Sequence, residues 1–327
     1  MMAIVLAHLS NYYDMGNVKH VLRIGTPLFF LMSGFLYGQR RIAHWSSFYF
    51  RRWKTLILPV YIWIIIVGVV CYLCLNVKFT VWQYVTHVFN LAGLPDFSYT
   101  ALRITLRLGG TVISMNGMGH LWFMTYLMVC LFLVPLLQII RDKFSESRFW
   151  YYGWVPVCIM FMVCCFGYYC GLSLWYIGIF VIGYYVNKNL IPDSIKGLCI
   201  GGCVILIGGV CLIVGHWWMG TTDIYKHGAY QVFQTMIVCG TLGIVQYFFR
   251  AFPQMKGLPD VGNYTYCVYI VHYVFLVGLL SVMEPFKGQP WIAVPLYIVV
   301  ILLAALCLQK ITRFIENMLF NRTRVRL

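Results

Sequence analysis

Three histidines of this chain, His8, His120 and His272, each adjoin an apolar run. A neutral imidazole tolerates a partly buried site and exchanges its proton near neutral pH. A ring so placed can take the proton of a hydroxyl as that oxygen attacks an acyl carbonyl. His8 is the first candidate for such a base. Asp14, six residues on, is the candidate to hold its tautomer, as a carboxylate does in a hydrolase triad. A second cluster, Arg51, Arg52 and Lys54, stands where another apolar run begins. Guanidinium forks bind phosphates bidentately. A proton-handling group and an anion binder in one chain point to acyl transfer from a phosphate-bearing donor. Membrane topology is the competing reason for the arginines, since any inner loop gathers them.

The elements that must position these groups are membrane helices. The 327 residues are 61% hydrophobic and only 10% charged. Soluble domains carry about 25% charged residues, so most of this chain must face lipid or other apolar helices. An aromatic content of 18% fits belts of Trp and Tyr at two membrane interfaces. The net charge of +15 is not gathered on a soluble face but spread through short loops, which excludes a nucleic-acid partner and leaves attraction to membrane lipid headgroups. The thirteen cysteines lie mostly inside apolar runs. There they act as small hydrophobes, with no spacing that would hold a metal.

A span needs about 20 apolar residues. That criterion places spans near 21–38, 55–75, 120–140, 150–168, 172–187, 197–215, 229–249, 263–283 and 291–312. Residues 2–9 form an apolar stub, read as the outer half of a first, truncated helix. The expected fold is therefore all-α, a polytopic bundle of about ten transmembrane helices forming one integral membrane domain over 1–327. If the stub begins inside, the segments 39–54, 141–149, 187–196, 250–262 and 310–327 face the cytoplasm. They hold 17 of the 24 Lys and Arg, which favours this orientation. Both termini are then cytoplasmic and His8 lies toward the outer side. The one long connection, 76–119, contains a stretch at 101–112 that reads equally as helix or strand. It is expected to be interfacial or re-entrant.

Several segments resemble one known family. Residues 3–8, Ala-Ile-Val-Leu-Ala-His, are similar to the end of the first helix of the acyltransferase-3 family, the multi-spanning acyltransferases of envelope glycans. Residues 27–36, Pro-Leu-Phe-Phe-Leu-Met-Ser-Gly-Phe-Leu, resemble its helix 2 signature and are the most specific piece. Residues 48–52 with Leu58 and Pro59 resemble its basic motif. Residues 119–123, Gly-His-Leu-Trp-Phe, and 269–272, Tyr-Ile-Val-His, resemble later signatures. The resemblance implies a cytoplasmic acyl-CoA donor (acetyl-CoA first), no metal, and transfer to a hydroxyl of a glycan or lipid-linked sugar. It implies a catalytic His8, a donor site at Arg51 and Arg52 beside Lys54, and acceptor contacts from Ser33, His120, Trp122, Tyr269 and His272. The family also carries an arginine ahead of its histidine, at a position before Met1 in this numbering.

The competing class is a multi-spanning transporter or flippase. Ion-coupled transport would call for charges within the spans, whereas the nine Asp and Glu fall mostly in loops. A purely structural membrane partner would need neither His8 nor the basic motif. The charge asymmetry makes a direct prediction. A reporter cysteine replacing Trp45 in intact cells should resist an impermeant thiol reagent until the membrane is opened. Labelling from outside would reverse the topology and remove a cytoplasmic donor site.

Overall fold

A computed structural model of the chain describes residues 2–15, 24–74, 105–108, 111–114, 120–121, 123–144, 175–186, 195–219, 228–252, 259–277 and 280–320. Its elements are helices apart from one short hairpin. The helices are α1 (Met2–Tyr12), α2 (Gly25–Gly38), α3 (Trp45–Arg52), α4 (Leu58–Cys74), α5 (Phe123–Phe144), α6 (Trp175–Tyr185), α7 (Ile195–Met219), α8 (Gly228–Ala251), α9 (Pro259–Leu276) and α10 (Pro290–Phe320). A π-turn, Trp53–Ile57, joins α3 to α4, and a 3-10 turn, Glu284–Phe286, precedes α10. Among the described residues, three helices are long and apolar enough to cross a membrane: Trp45–Val70, Ile195–Val214 and Pro290–Phe320. The expected span at 150–168 lies outside the described residues.

The chain divides into two compact units. The first comprises Met1–Lys19, His44–Thr125 and Pro259–Leu327. Helix α9 forms its centre, with every residue from Tyr266 to His272 buried. Helix α10 instead buries one stripe, Ala293, Tyr297, Ile301, Ala305, Leu308 and Thr312, at the spacing of a single helix face. Its other face exposes Trp291, Val299, Leu303 and Phe314, as a lipid-facing helix would. The Tyr264 hydroxyl donates to Leu302 O and ties α9 to α10. The Tyr266 hydroxyl donates to Leu56 O at 2.7 Å and ties α9 to the entry of α4.

Two expectations are corrected here, and one left open is resolved. The basic segment 39–54 is not a loop throughout: from Trp45 it is helical and runs on into α4. Residues 44–58 contain neither Gly nor Pro, so nothing interrupts the ladder until Pro59. Pro59 lacks an N–H to give back to Thr55. The ladder widens there, and the Leu58 N–H reaches Trp53 O, five residues back. Second, α9 ends at Leu276, short of the predicted 283; a turn held by the Ser281 hydroxyl on Leu276 O follows. Part of 101–112, which the sequence left open between helix and strand, is a strand. Thr105–Leu108 pairs antiparallel with Thr111–Ser114, with Arg107 opposite Val112.

The second unit comprises His20–Ala43 and Tyr126–Leu258. Here α2 and α6 meet backbone to backbone. A Cβ on Gly34 would strike Phe180 O, one on Gly38 would strike Tyr184 O, and one on Gly183 would strike Leu31 O. Helices α7 and α8 approach similarly through Gly201 and Gly240. With no hydrophobic drive between helices in lipid, such small-residue contacts supply the packing. Side chains then serve the backbone at the C-terminal end of α2. Arg141 donates to Gly38 O at 2.6 Å, and the Gln138 amide both accepts from Ile42 N–H and donates to Ile42 O. Carbonyls left open at a helix end need such partners.

The glycines yield a signed prediction. Gly34→Ala should lower the melting temperature in detergent, with an overpacking cost of about 1–3 kcal/mol. Gly202→Ala, where nothing lies within 4 Å of the added carbon, should be neutral or stabilising. Equal effects of the two substitutions would contradict the packing.

Candidate functional site

The first unit brings together four residues from three distant stretches of the sequence: His8 on α1, His120 ahead of α5, and Tyr269 and His272 on α9. His120 and Tyr269 bind each other twice. The His120 Nε2–H donates to Tyr269 O at 2.9 Å, and the Tyr269 hydroxyl donates to His120 O. The His272 Nδ1–H donates to the same Tyr269 carbonyl at 2.6 Å. Both imidazoles therefore give a proton to one oxygen. That fixes their tautomers and leaves His120 Nδ1 and His272 Nε2 as the lone-pair nitrogens. Both nitrogens are buried and lack a hydrogen-bond partner.

His8 completes the cluster. Its ring centre lies 5.4 Å from that of His272 and 6.4 Å from that of His120. Tyr273 packs edge-on to it at 4.8 Å. His120 and His272 are 2% and 0% exposed, whereas His8 is half-buried. His8 is thus the member of the histidine group open to an incoming molecule. Sequence reasoning missed Tyr273. Its signal was present: Tyr269, His272 and Tyr273 stand at i, i+3 and i+4, the spacing of one helix face.

The cationic groups occupy the other end of the same unit. Arg51 is exposed, and its Nε–H donates to Ser47 O. Arg52 is half-buried, with its guanidinium 5.7 Å from the centre of the Phe48 ring. Lys54, in the π-turn, pairs with Glu316 at 3.7 Å and lies 5.1 Å from the Phe320 ring centre. Helix α9 gives the distance from this end to the histidines. Tyr266 reaches Leu56 O, beside the cations. His272 is six residues further along, a rise of about 9 Å.

The remaining expected residues are placed as follows. Asp14 is exposed in the turn after α1, with φ 46°. Ser33 is half-buried on α2 and belongs to the second unit. Its neighbour Gly34 makes the α2–α6 contact, so the signature at 27–36 has a packing role. Trp122 lies outside the described residues. In chemical terms the cluster offers a half-buried imidazole backed by two buried imidazoles that share one carbonyl acceptor.

Comparison with known proteins adds the family. No curated protein and no solved structure matches the chain. The family model described as an acyltransferase domain matches residues 1–310, taking in both units, the three histidines and the basic segment. The chain therefore belongs to the acyltransferase-3 family.

Proposed function

We propose that the protein is a membrane O-acyltransferase that moves an acyl group, acetyl first among candidates, from cytoplasmic acyl-CoA to a hydroxyl of an envelope polysaccharide or lipid-linked sugar. The observation that carries this reading is His8 at the open edge of the buried histidine cluster, in a chain of an acyltransferase family. In this scheme Arg51 and Arg52 hold the donor phosphates, and Lys54, shared with Glu316, adds charge beside them. His8 takes the hydroxyl proton as the oxygen attacks the thioester carbonyl. The C–S bond breaks, and the thiolate leaves with the proton that His8 received. The base is regenerated, and ester and free thiol are the products.

The membrane setting belongs to the same proposal: about ten spans in the inner membrane with both termini cytoplasmic. Contacts between segments assigned to the same side support it. Lys54 and Phe50 of the basic segment meet Glu316 and Phe320 near the C-terminal end of α10. Within the second unit, Arg41 pairs with Asp142 and the Gln39 amide donates to Val186 O. At the opposite end of the first unit, Tyr12 meets Lys287. The transporter reading has no comparable support.

His8→Ala and His8→Gln should both abolish transfer while insertion and donor binding persist. A general base contributes about 10²–10⁴-fold, and an amide cannot take the proton. Glycan acetylation in a deletion strain carrying each variant measures this. Full activity of His8→Gln would remove the base.

Arg52→Ala should weaken acyl-CoA binding by about 1.5–3 kcal/mol, the scale of a charge-assisted hydrogen bond. Arg52→Lys should recover part of it, keeping charge without the fork. Arg51 ranks second, since successive helix positions point about 100° apart. Unchanged affinity in Arg52→Ala, measured by titration calorimetry, would return the arginine to a topological role.

A further inference from the structure

A general base must present a lone pair to its substrate, so its other ring nitrogen must keep the N–H. Something must hold that choice. In hydrolase triads a buried carboxylate does so. Here Asp14 is exposed in the turn beyond α1, and the buried side of His8 is bounded by rings: His272 and Tyr273 on α9, and His120 ahead of α5. The titratable or charged groups that follow His8 in the chain are Tyr12 at the end of α1 and Tyr13 and Asp14 in the turn after it, with Lys287 and Glu284 beside Tyr12. Of the rings facing His8, the two imidazoles carry buried lone pairs that the resting structure leaves unpaired, at His272 Nε2 and His120 Nδ1. A buried acceptor without a donor is costly, so each marks a place where a donor belongs.

The distances choose between them. Two imidazoles joined by an N–H···N bond of about 3 Å have their centres separated by that length plus two ring radii. The 5.4 Å between His8 and His272 fits such a bond after a small rotation of His8. The 6.4 Å to His120, with the rings nearly perpendicular at 81°, fits it poorly.

We propose that His272 is the positioning residue for His8: its Nε2 lone pair, held in place by the Nδ1–H bond to Tyr269 O, receives the His8 ring N–H and so turns the opposite His8 nitrogen to the acceptor hydroxyl. The proposal rests on the reading of His8 as base. Tyr269 is the anchor, since its carbonyl sets the His272 tautomer and the reciprocal pair with His120 fixes that carbonyl. Apart from the proton that His8 receives, no group changes charge in this arrangement. A neutral imidazole takes the role that a carboxylate has in the triad.

The test uses protein labelled with ¹⁵N-histidine in lipid bilayers, with the His8 signals assigned by their loss in His8→Gln. Wild type should show His8 as a single tautomer, one protonated and one bare nitrogen. His272→Phe keeps an aromatic ring at that position but has no acceptor. It should merge the two His8 signals toward an average and lower kcat by about 10–100-fold, the scale on which outer-shell partners act, with acyl-CoA affinity unchanged. His272→Gln can donate to Tyr269 O and accept from His8 at once. It should keep the single tautomer and recover most of the rate. A role in packing alone predicts the reverse order, with Phe tolerated and the His8 signals unmoved. That outcome overturns the proposal. Should His272→Phe fail to fold, a folded His272→Gln with averaged His8 signals overturns it as well. The tautomer measurement is independent of turnover. Loss of the base reading, through an active His8→Gln, is thus distinguishable from loss of the His272 role.

Discussion

One backbone carbonyl, that of Tyr269, organises the histidine cluster. It receives an N–H from His120 and another from His272. The Tyr269 hydroxyl answers by donating to His120 O. A carbonyl is acceptor-only, so both rings must turn an N–H toward it and a lone pair away. A third ring at the same spot, half-buried His8, then has neutral acceptors behind it. An imidazolium at either buried position would have a second N–H with no acceptor, which a low-dielectric interior penalises. The arrangement therefore favours His8 as the site for an incoming proton.

The same helix links the chemistry to the cationic end. Tyr266 ties α9 to Leu56, directly after Arg51, Arg52 and Lys54. The π-turn at Trp53–Ile57, forced where Pro59 breaks the ladder, shifts the register between α3 and α4. Without that extra residue per turn, the cations would leave the helix in different directions from those observed. Lys54 instead meets Glu316 and Phe320, and Arg52 lies over Phe48. A lysine already paired contributes less to an anionic ligand than a free one.

The parts of this arrangement differ in how legible they are in the sequence. His8, His120 and His272 stand out singly, because a histidine beside an apolar run is uncommon and costly. Their meeting does not, since His120 and Tyr269 are 149 residues apart and no periodicity records a tertiary pair. The signature at 27–36 reads as functional, yet Gly34 in it is required because the Phe180 backbone leaves no room for a Cβ. Packing glycines and ligand-binding glycines look alike in a single sequence. The basic segment reads as a loop from its charge. It is a helix from Trp45 on because nothing in it breaks one. The alternation at 102–108 left helix and strand open, and Gly109-Gly110 between the two strands is a known two-residue hairpin signal.

Transfer itself can be followed in sealed inverted membrane vesicles, whose cytoplasmic face is outward. Vesicles carrying the wild-type protein receive acetyl-CoA labelled in the acetyl group, and the label is followed into hydroxylamine-labile ester on glycan or lipid-linked sugar. Donor binding at the basic segment and base catalysis at His8 together predict ester formation in these vesicles, none in right-side-out vesicles, and one free thiol per ester formed. Ester formation only when acetyl-CoA is supplied to the opposite face, or no donor cleavage from either face, would contradict it.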